Sequence, residues 1–118
     1  MSTVRPGVGA LAELHRLFRW TPTHLVAAKD AKVVGLVSGA ENRLVNLFVA
    51  GSLHRQGIAT QLHRRFEIAC RKAGYRTMVV RSSLFAVPFY KSVGYRKTTG
   101  VRSLHGIRAQ PMRKRLNP

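Results

Sequence analysis

Acids, cysteine and long apolar runs are all scarce in this chain of 118 residues. Its one cysteine, Cys70, excludes an internal disulfide, and without neighbouring ligands it excludes a structural zinc site too. A helical pattern continues on both sides of Cys70, which marks a core thiol rather than a nucleophile. One thiol and no disulfide fit a reducing, cytoplasmic setting, and no metal is expected. No stretch approaches the roughly 18–20 apolar residues of a membrane span. Glu13, His15, Arg16 and Arg19 interrupt the early apolar residues, so the charged-then-apolar layout of a secretory leader is missing.

Four acids (Glu13, Asp30, Glu41 and Glu67) stand against twenty-one Lys and Arg, a formal net charge of +17. That imbalance attracts polyanions: nucleic acid through non-specific charge, acidic surfaces, phosphorylated cofactors. The basic residues are densest at 63–65, 71–72 and 113–115 but run through the whole chain, which favours affinity over specificity. Glu67 follows Phe66 and reads as turned away from the apolar face of its helix. Hydrophobic residues make up 45%, which excludes a disordered chain and, at this length, suffices for one core. A single domain over residues 1–118 is expected.

Residues 10–18 place Leu11, Leu14, Leu17 and Phe18 on one side of a short helix, which Thr21-Pro22-Thr23 ends. Runs 24–29 and 33–38 are β-rich and separated by Lys29-Asp30-Ala31-Lys32, the pattern of a hairpin. Residues 40–42 turn the chain into a strand over 44–50, where Val45, Leu47, Phe48 and Val49 predict cover on both faces. A helix over 58–72 aligns Ile58, Leu62, Phe66 and Ala69 and stops at Gly74. A strand over 77–81 follows, then a short helix over 87–93 with Pro88 in its first turn and Gly94 behind it. A last strand runs over 107–115. The order predicts an α/β (α+β) fold, a mixed and mostly antiparallel sheet flanked by helices.

The stretch 47–60 carries the first functional signal. An apolar strand meets a short loop, and Gly57 allows a tight turn and close approach of a ligand. Ile58, Ala59 and Thr60 open the helix, and their amides have no intrahelical acceptor. Those N–H groups and the positive end of the helix dipole favour an anion, to which Arg55 could add a charge-assisted contact. The same residues also read as an ordinary strand-to-helix turn.

Two motifs resemble the GNAT superfamily of acyl-CoA-dependent N-acyltransferases, over most of residues 24–116. His54-Arg55-Gln56-Gly57-Ile58-Ala59, after Leu47-Phe48-Val49, matches the family's Arg/Gln-x-x-Gly-x-Gly/Ala loop. Ala86-Val87-Pro88-Phe89-Tyr90-Lys91-Ser92-Val93-Gly94-Tyr95 matches its Ala-x-x-Phe-Tyr-x-x-x-Gly-Phe/Tyr segment. The ending Leu104-His105-Gly106-Ile107 with Pro111-Met112 is similar to the last strands of one bacterial branch. The resemblance implies acetyl-CoA as cosubstrate and an amine as acceptor. It puts the coenzyme pyrophosphate on His54, Arg55, Gln56, Gly57, Ile58, Ala59 and Thr60. The pantetheine arm falls along Leu47, Phe48 and Val49, with Ser83 and Phe89 as further cofactor-binding positions. Tyr90 matches the family's general-acid tyrosine, a role suited to a phenol of unperturbed pKa about 10 opposite a thiol leaving group. On its own residues, without the motif, Tyr90 reads as a core aromatic beside Phe89.

Three positions depart from the family pattern. His54 stands where Arg or Gln is usual, Ser83 where many members have Asn, and Asn46 where many carry a Glu that serves as general base. Asn cannot take up a proton, which leaves water, His24, His105 or another group. The segment 1–22 is short beside the family's usual strand and two helices, so the resemblance implies an open acceptor side. That suits a large acceptor or a pocket completed by a second copy of the chain. A non-catalytic binding protein on the same fold, holding coenzyme A or nucleic acid, is the alternative.

Overall fold

The computed structural model describes residues 18–20, 24–29, 32–51 and 57–117. They form a mixed α/β protein with eight strands and two helices. The strands are β1 (Phe18–Trp20), β2 (His24–Lys29), β3 (Lys32–Ala40), β4 (Arg43–Val49), β5 (Thr77–Ser83), β6 (Arg96–Lys97), β7 (Arg102–Leu104) and β8 (Ile107–Arg115). The helices are α1 (Ile58–Lys72) and α2 (Val87–Ser92). The chain groups into two compact units, within Met1–Ser38 and Asn46–Phe66 for the first and Gly39–Val45 and Glu67–Pro118 for the second.

In the first unit the strand order is β1-β2-β3-β4. β2 and β3 form the expected hairpin, with Lys29 opposite Lys32. β1 pairs antiparallel with β2, Phe18 opposite Ala27 and Trp20 opposite Leu25. Phe18, expected to end a helix, thus begins a strand; three residues are too few for alternation to reveal it, and the pairing with β2 decides. The rest of the expected helix, 10–17, lies outside the described residues. The core of this unit includes Leu25, Ala27, Val37, Ile58 and Leu62, all buried. Gly35 lets the strand and the start of α1 approach. A Cβ there would meet the Phe48 carbonyl oxygen at 2.9 Å, Leu62 at 3.1 Å and Ile58 at 3.3 Å.

In the second unit β5 is flanked by the first residues of β4, in parallel, and by β8, antiparallel. The parallel ladder comprises Arg43 with Val79 and Leu44 with Val80. Asn42 braces it: its side-chain amide donates to the Thr77 carbonyl at 3.0 Å, and its carbonyl accepts the Val79 N–H at 3.0 Å. β6 and β7 both add to β8, and the β7–β8 hairpin turns through His105 (φ 51) and Gly106. β7 was not expected from the sequence, since Arg-Ser-Leu carries no apolar alternation. Met78, Val80, Cys70, Tyr95, Met112 and Leu116 are buried in this unit. The Tyr75 N–H reaches back to Cys70 O at 3.1 Å, closing α1 one turn before the chain leaves it.

Three expectations are corrected. β4 is not covered on both faces, because Val45 and Phe48 remain 57% and 52% exposed. An apolar run reports hydrophobicity, not which face finds a partner. His63, counted with the surface cations, is 2% exposed. Glu67, expected to face outward, is half-buried, and its carboxylate accepts hydrogen bonds from Lys114 at 2.6 Å and Arg71 at 3.0 Å. One residue beyond Phe66 is a rotation of about 100°, the border of the buried face rather than its back.

Candidate functional site

The candidate residues fall in two sets, one in each unit. In the first unit, Leu47, Phe48 and Val49 end β4, and Gly57 precedes α1. Gly57 has φ +77, a left-handed conformation that glycine adopts without strain, and among the described residues beyond its chain neighbours no atom lies within 4 Å of where a Cβ would stand. The helical ladder starts with the Gln61 N–H on the Gly57 carbonyl at 3.0 Å. The amides of Ile58, Ala59 and Thr60 therefore precede it, as the helix geometry requires. Ile58 itself is buried and anchors this first turn against Gly35. His54, Arg55 and Gln56 lie outside the described residues. Asn46, on the preceding strand, donates from its side-chain amide to Ser38 Oγ at 3.2 Å. That bond fixes the amide on a regular strand.

In the second unit, Tyr90 is the buried residue of α2. Its ring meets Phe89 and Tyr95 edge-on, each at a centroid distance of 5.3 Å. Burial pushes the phenol from 10 to about 12, so at neutral pH its oxygen carries a proton throughout. It is a weaker acid than the sequence alone suggests. Tyr95 is pushed up still further by burial, and its hydroxyl faces the Met78 sulfur at 4.0 Å. Ser83 closes β5: its Oγ accepts the Ala86 N–H at 3.2 Å and its carbonyl accepts the same N–H at 3.1 Å. The turn into α2 thus uses the Ser83 side chain as an acceptor. Pro88 stands in the first turn of α2, where no N–H is needed.

Cys70 is buried, and burial raises its thiol, with the Glu67 carboxylate adding to the effect. A raised thiol is a poor nucleophile at neutral pH. Among the described residues no three His, Cys, Asp or Glu side chains converge on one point, and no helix is long and apolar enough to cross a membrane. His105 occupies the exposed tip of the β7–β8 hairpin. Gly35 and Asn42 went unremarked in the sequence. A glycine inside a β-rich run signals a close backbone approach, so Gly35 could have been found; nothing local marks Asn42, whose partner is 35 residues away.

The described residues form a mixed α/β fold, a mostly antiparallel sheet with two helices. The acetyltransferase (GNAT) domain family matches residues 12–116, and the chain belongs to that family. It is similar to an acetyltransferase from Bacillus cereus ATCC 14579, with 31% identity and a TM-score of 0.70, covering 79% of this chain and 71% of that one. It shares its fold with a GCN5-related N-acetyltransferase from Rhodopseudomonas palustris (23% identity, TM-score 0.72), covering 79% of this chain and spanning 61% of that protein's length. The fold is shared also with Ard1 from Thermoplasma volcanium, at 20% identity and TM-score 0.72, over 92% of this chain and 79% of that one. No curated protein matches the sequence.

Proposed function

We propose that this chain is an acetyl-CoA-dependent N-acetyltransferase acting on an amine acceptor. The observation that carries the reading is the acetyltransferase-domain match over residues 12–116. The residues present fit the cosubstrate. No described residue beyond its chain neighbours crowds the left-handed Gly57, and this position, followed by the first amides of α1, suits a pyrophosphate. The half-exposed Phe48 side of β4 suits an extended, partly apolar arm.

Bound acetyl-CoA would supply an acyl group activated as a thioester. Tyr90 Oη holds a proton at neutral pH and can donate it, first as a hydrogen bond, to a departing sulfur. A phenol near 12 stands above the thiol's value of about 8.5. Complete transfer is therefore uphill unless the proton lost by the acceptor nitrogen returns to the phenol. Asn46 cannot accept that nitrogen's proton. With water as the base, the acceptor loses its proton before it binds and reacts as the free amine, and the rate then climbs with pH through the amine's own pKa.

Titration calorimetry with acetyl-CoA, paired with a thiol-release assay over a panel of amines, tests the reading. Gly57→Val puts a β-branched residue at positive φ and a side chain at that uncrowded position. An affinity loss of about tenfold or more is expected, the scale of 1.4 kcal/mol. Unchanged affinity in the variant removes the loop from the site. No binding by the unmodified protein removes the reading altogether.

A further inference from the structure

β5 and β8 divide their side chains between two faces. Met78, Val80, Met112 and Lys114 point to one, and Lys114 meets Glu67 of α1 there. Val79, Arg81, Pro111, Arg113 and Arg115 belong to the other, since successive strand residues alternate. The register aligns a row across four strands on this second face: Arg43, Val79, Arg113 and Arg96 are successive Cα partners. Arg113 and Arg96 are directly opposite, an arrangement of like charges that destabilises a sheet. Arg43, Arg81, Arg96, Lys97, Arg113 and Arg115 are all exposed. They line two adjoining depressions that share Thr98 and Arg113, of about 750 and 340 Å³. Among the described residues the acids are Glu41 and Glu67, neither lines these depressions, and the Glu67 carboxylate is held by Lys114 and Arg71.

We propose that this arginine-lined face of the β4-β5-β8-β6 sheet binds the phosphate backbone of a nucleic-acid duplex. The five cations that share this face, Arg43, Arg81, Arg96, Arg113 and Arg115, are all arginines, whose planar fork matches phosphate oxygens two at a time. Alternate residues on a strand lie roughly 6.5–7 Å apart and neighbouring strands about 4.8 Å, a cation density that few other polyanions match. A duplex carries one negative charge per roughly 1.7 Å of axis, the density that does. Among the described residues no aromatic side chain on which an unpaired base would stack lines these depressions, so the backbone of a duplex is favoured over a single strand. An anion seated between Arg96 and Arg113 would also relieve their repulsion. The proposal does not depend on acetyl transfer.

Fluorescence anisotropy with a labelled DNA duplex of about twenty base pairs, at several salt concentrations, tests it. Two triple variants of equal charge are compared: Arg96→Gln/Arg113→Gln/Arg115→Gln on the face, and Lys72→Gln/Arg76→Gln/Lys91→Gln, none of which lines the two depressions. The face variant is expected to lower the slope of log K against log salt by about 0.9 for each lost contact, and the other far less. The face variant should also melt at a higher temperature in the absence of nucleic acid, because the opposed charges are gone. Should it fail to fold, the Arg→Lys version at the same three positions keeps the charge, and weaker binding at an unchanged slope supports the forked contact. Equal losses in the two Gln variants overturn the proposal in favour of diffuse charge. Displacement of the duplex by polyglutamate at equal total charge overturns it in favour of an acidic protein.

Discussion

Tyr90 illustrates how much one side chain's meaning depends on its surroundings. Two edge-on rings and near-complete burial hold it in place and keep it protonated. Tyr90→Phe keeps the ring and deletes the donor, so kcat should fall by about 10²-fold or more with little change in Tm. Steady-state kinetics and a melting curve check both halves, and wild-type turnover in the folded variant would remove the proton-donor role. The phenol's folded-state value of about 12 lies above its ordinary 10. Its contribution to stability is therefore complete below pH 10 and lost between about 10 and 12, so no alkaline limb from Tyr90 is expected in rate profiles below that range. Glu67 works in the opposite direction. Burial alone would raise it, but the hydrogen bonds and attraction of Lys114 and Arg71 prevail and lower it below 4.5. Stability from this carboxylate is present above pH 4.5 and declines as acid protonates it. Glu67→Gln should flatten the acid side of a Tm-versus-pH curve; an unchanged curve would show that the ion pairs contribute nothing there.

Among the elements, α1 and β3 are the pair on which the cosubstrate site would rest. Ile58, Leu62 and Gly35 pack without room for a methyl group, because a Cβ on Gly35 meets a backbone carbonyl that cannot swing away. Gly35→Ala should cost about 1–3 kcal/mol and lower Tm by several degrees. Because Phe48 and Ile58 must shift to admit it, acetyl-CoA affinity should drop too. Intact melting and intact binding in this variant would show that the strand adjusts freely. The bounds of α1 match the 3.6-residue pattern read from the sequence, residues 58–72, since four turns of periodicity outweigh local noise. β1 and β7, at three residues each, exist only through their partners β2 and β8.

At the scale of the whole molecule, charge governs encounter. A chain of +17 should draw in acetyl-CoA, whose phosphates are anionic, and repel polycationic amines. The expected acceptor is neutral, anionic or carried on an acidic partner. Assays of spermidine, a lysine-rich peptide, and neutral and acidic amino compounds at two ionic strengths check this, and the advantage over polycations should shrink with salt. A preference for polycations at low salt would overturn it.

The sequence by itself determined the element order from β2 through α2 together with the last strand, the glycine turn into α1 and the excess of cations. All three follow from local patterns: periodicity, one residue's freedom in φ, and a count. The tertiary structure decided the rest, because each remaining feature joins residues far apart in the chain. Asn42 finds Thr77, Glu67 finds Lys114, and Arg43, Arg113 and Arg96 come into one row only when β4, β5, β8 and β6 pair. The same holds for acidity. Tyr90 and Glu67 begin at the ordinary values of their residue types, and only desolvation and neighbours brought in by the fold move one up and the other down.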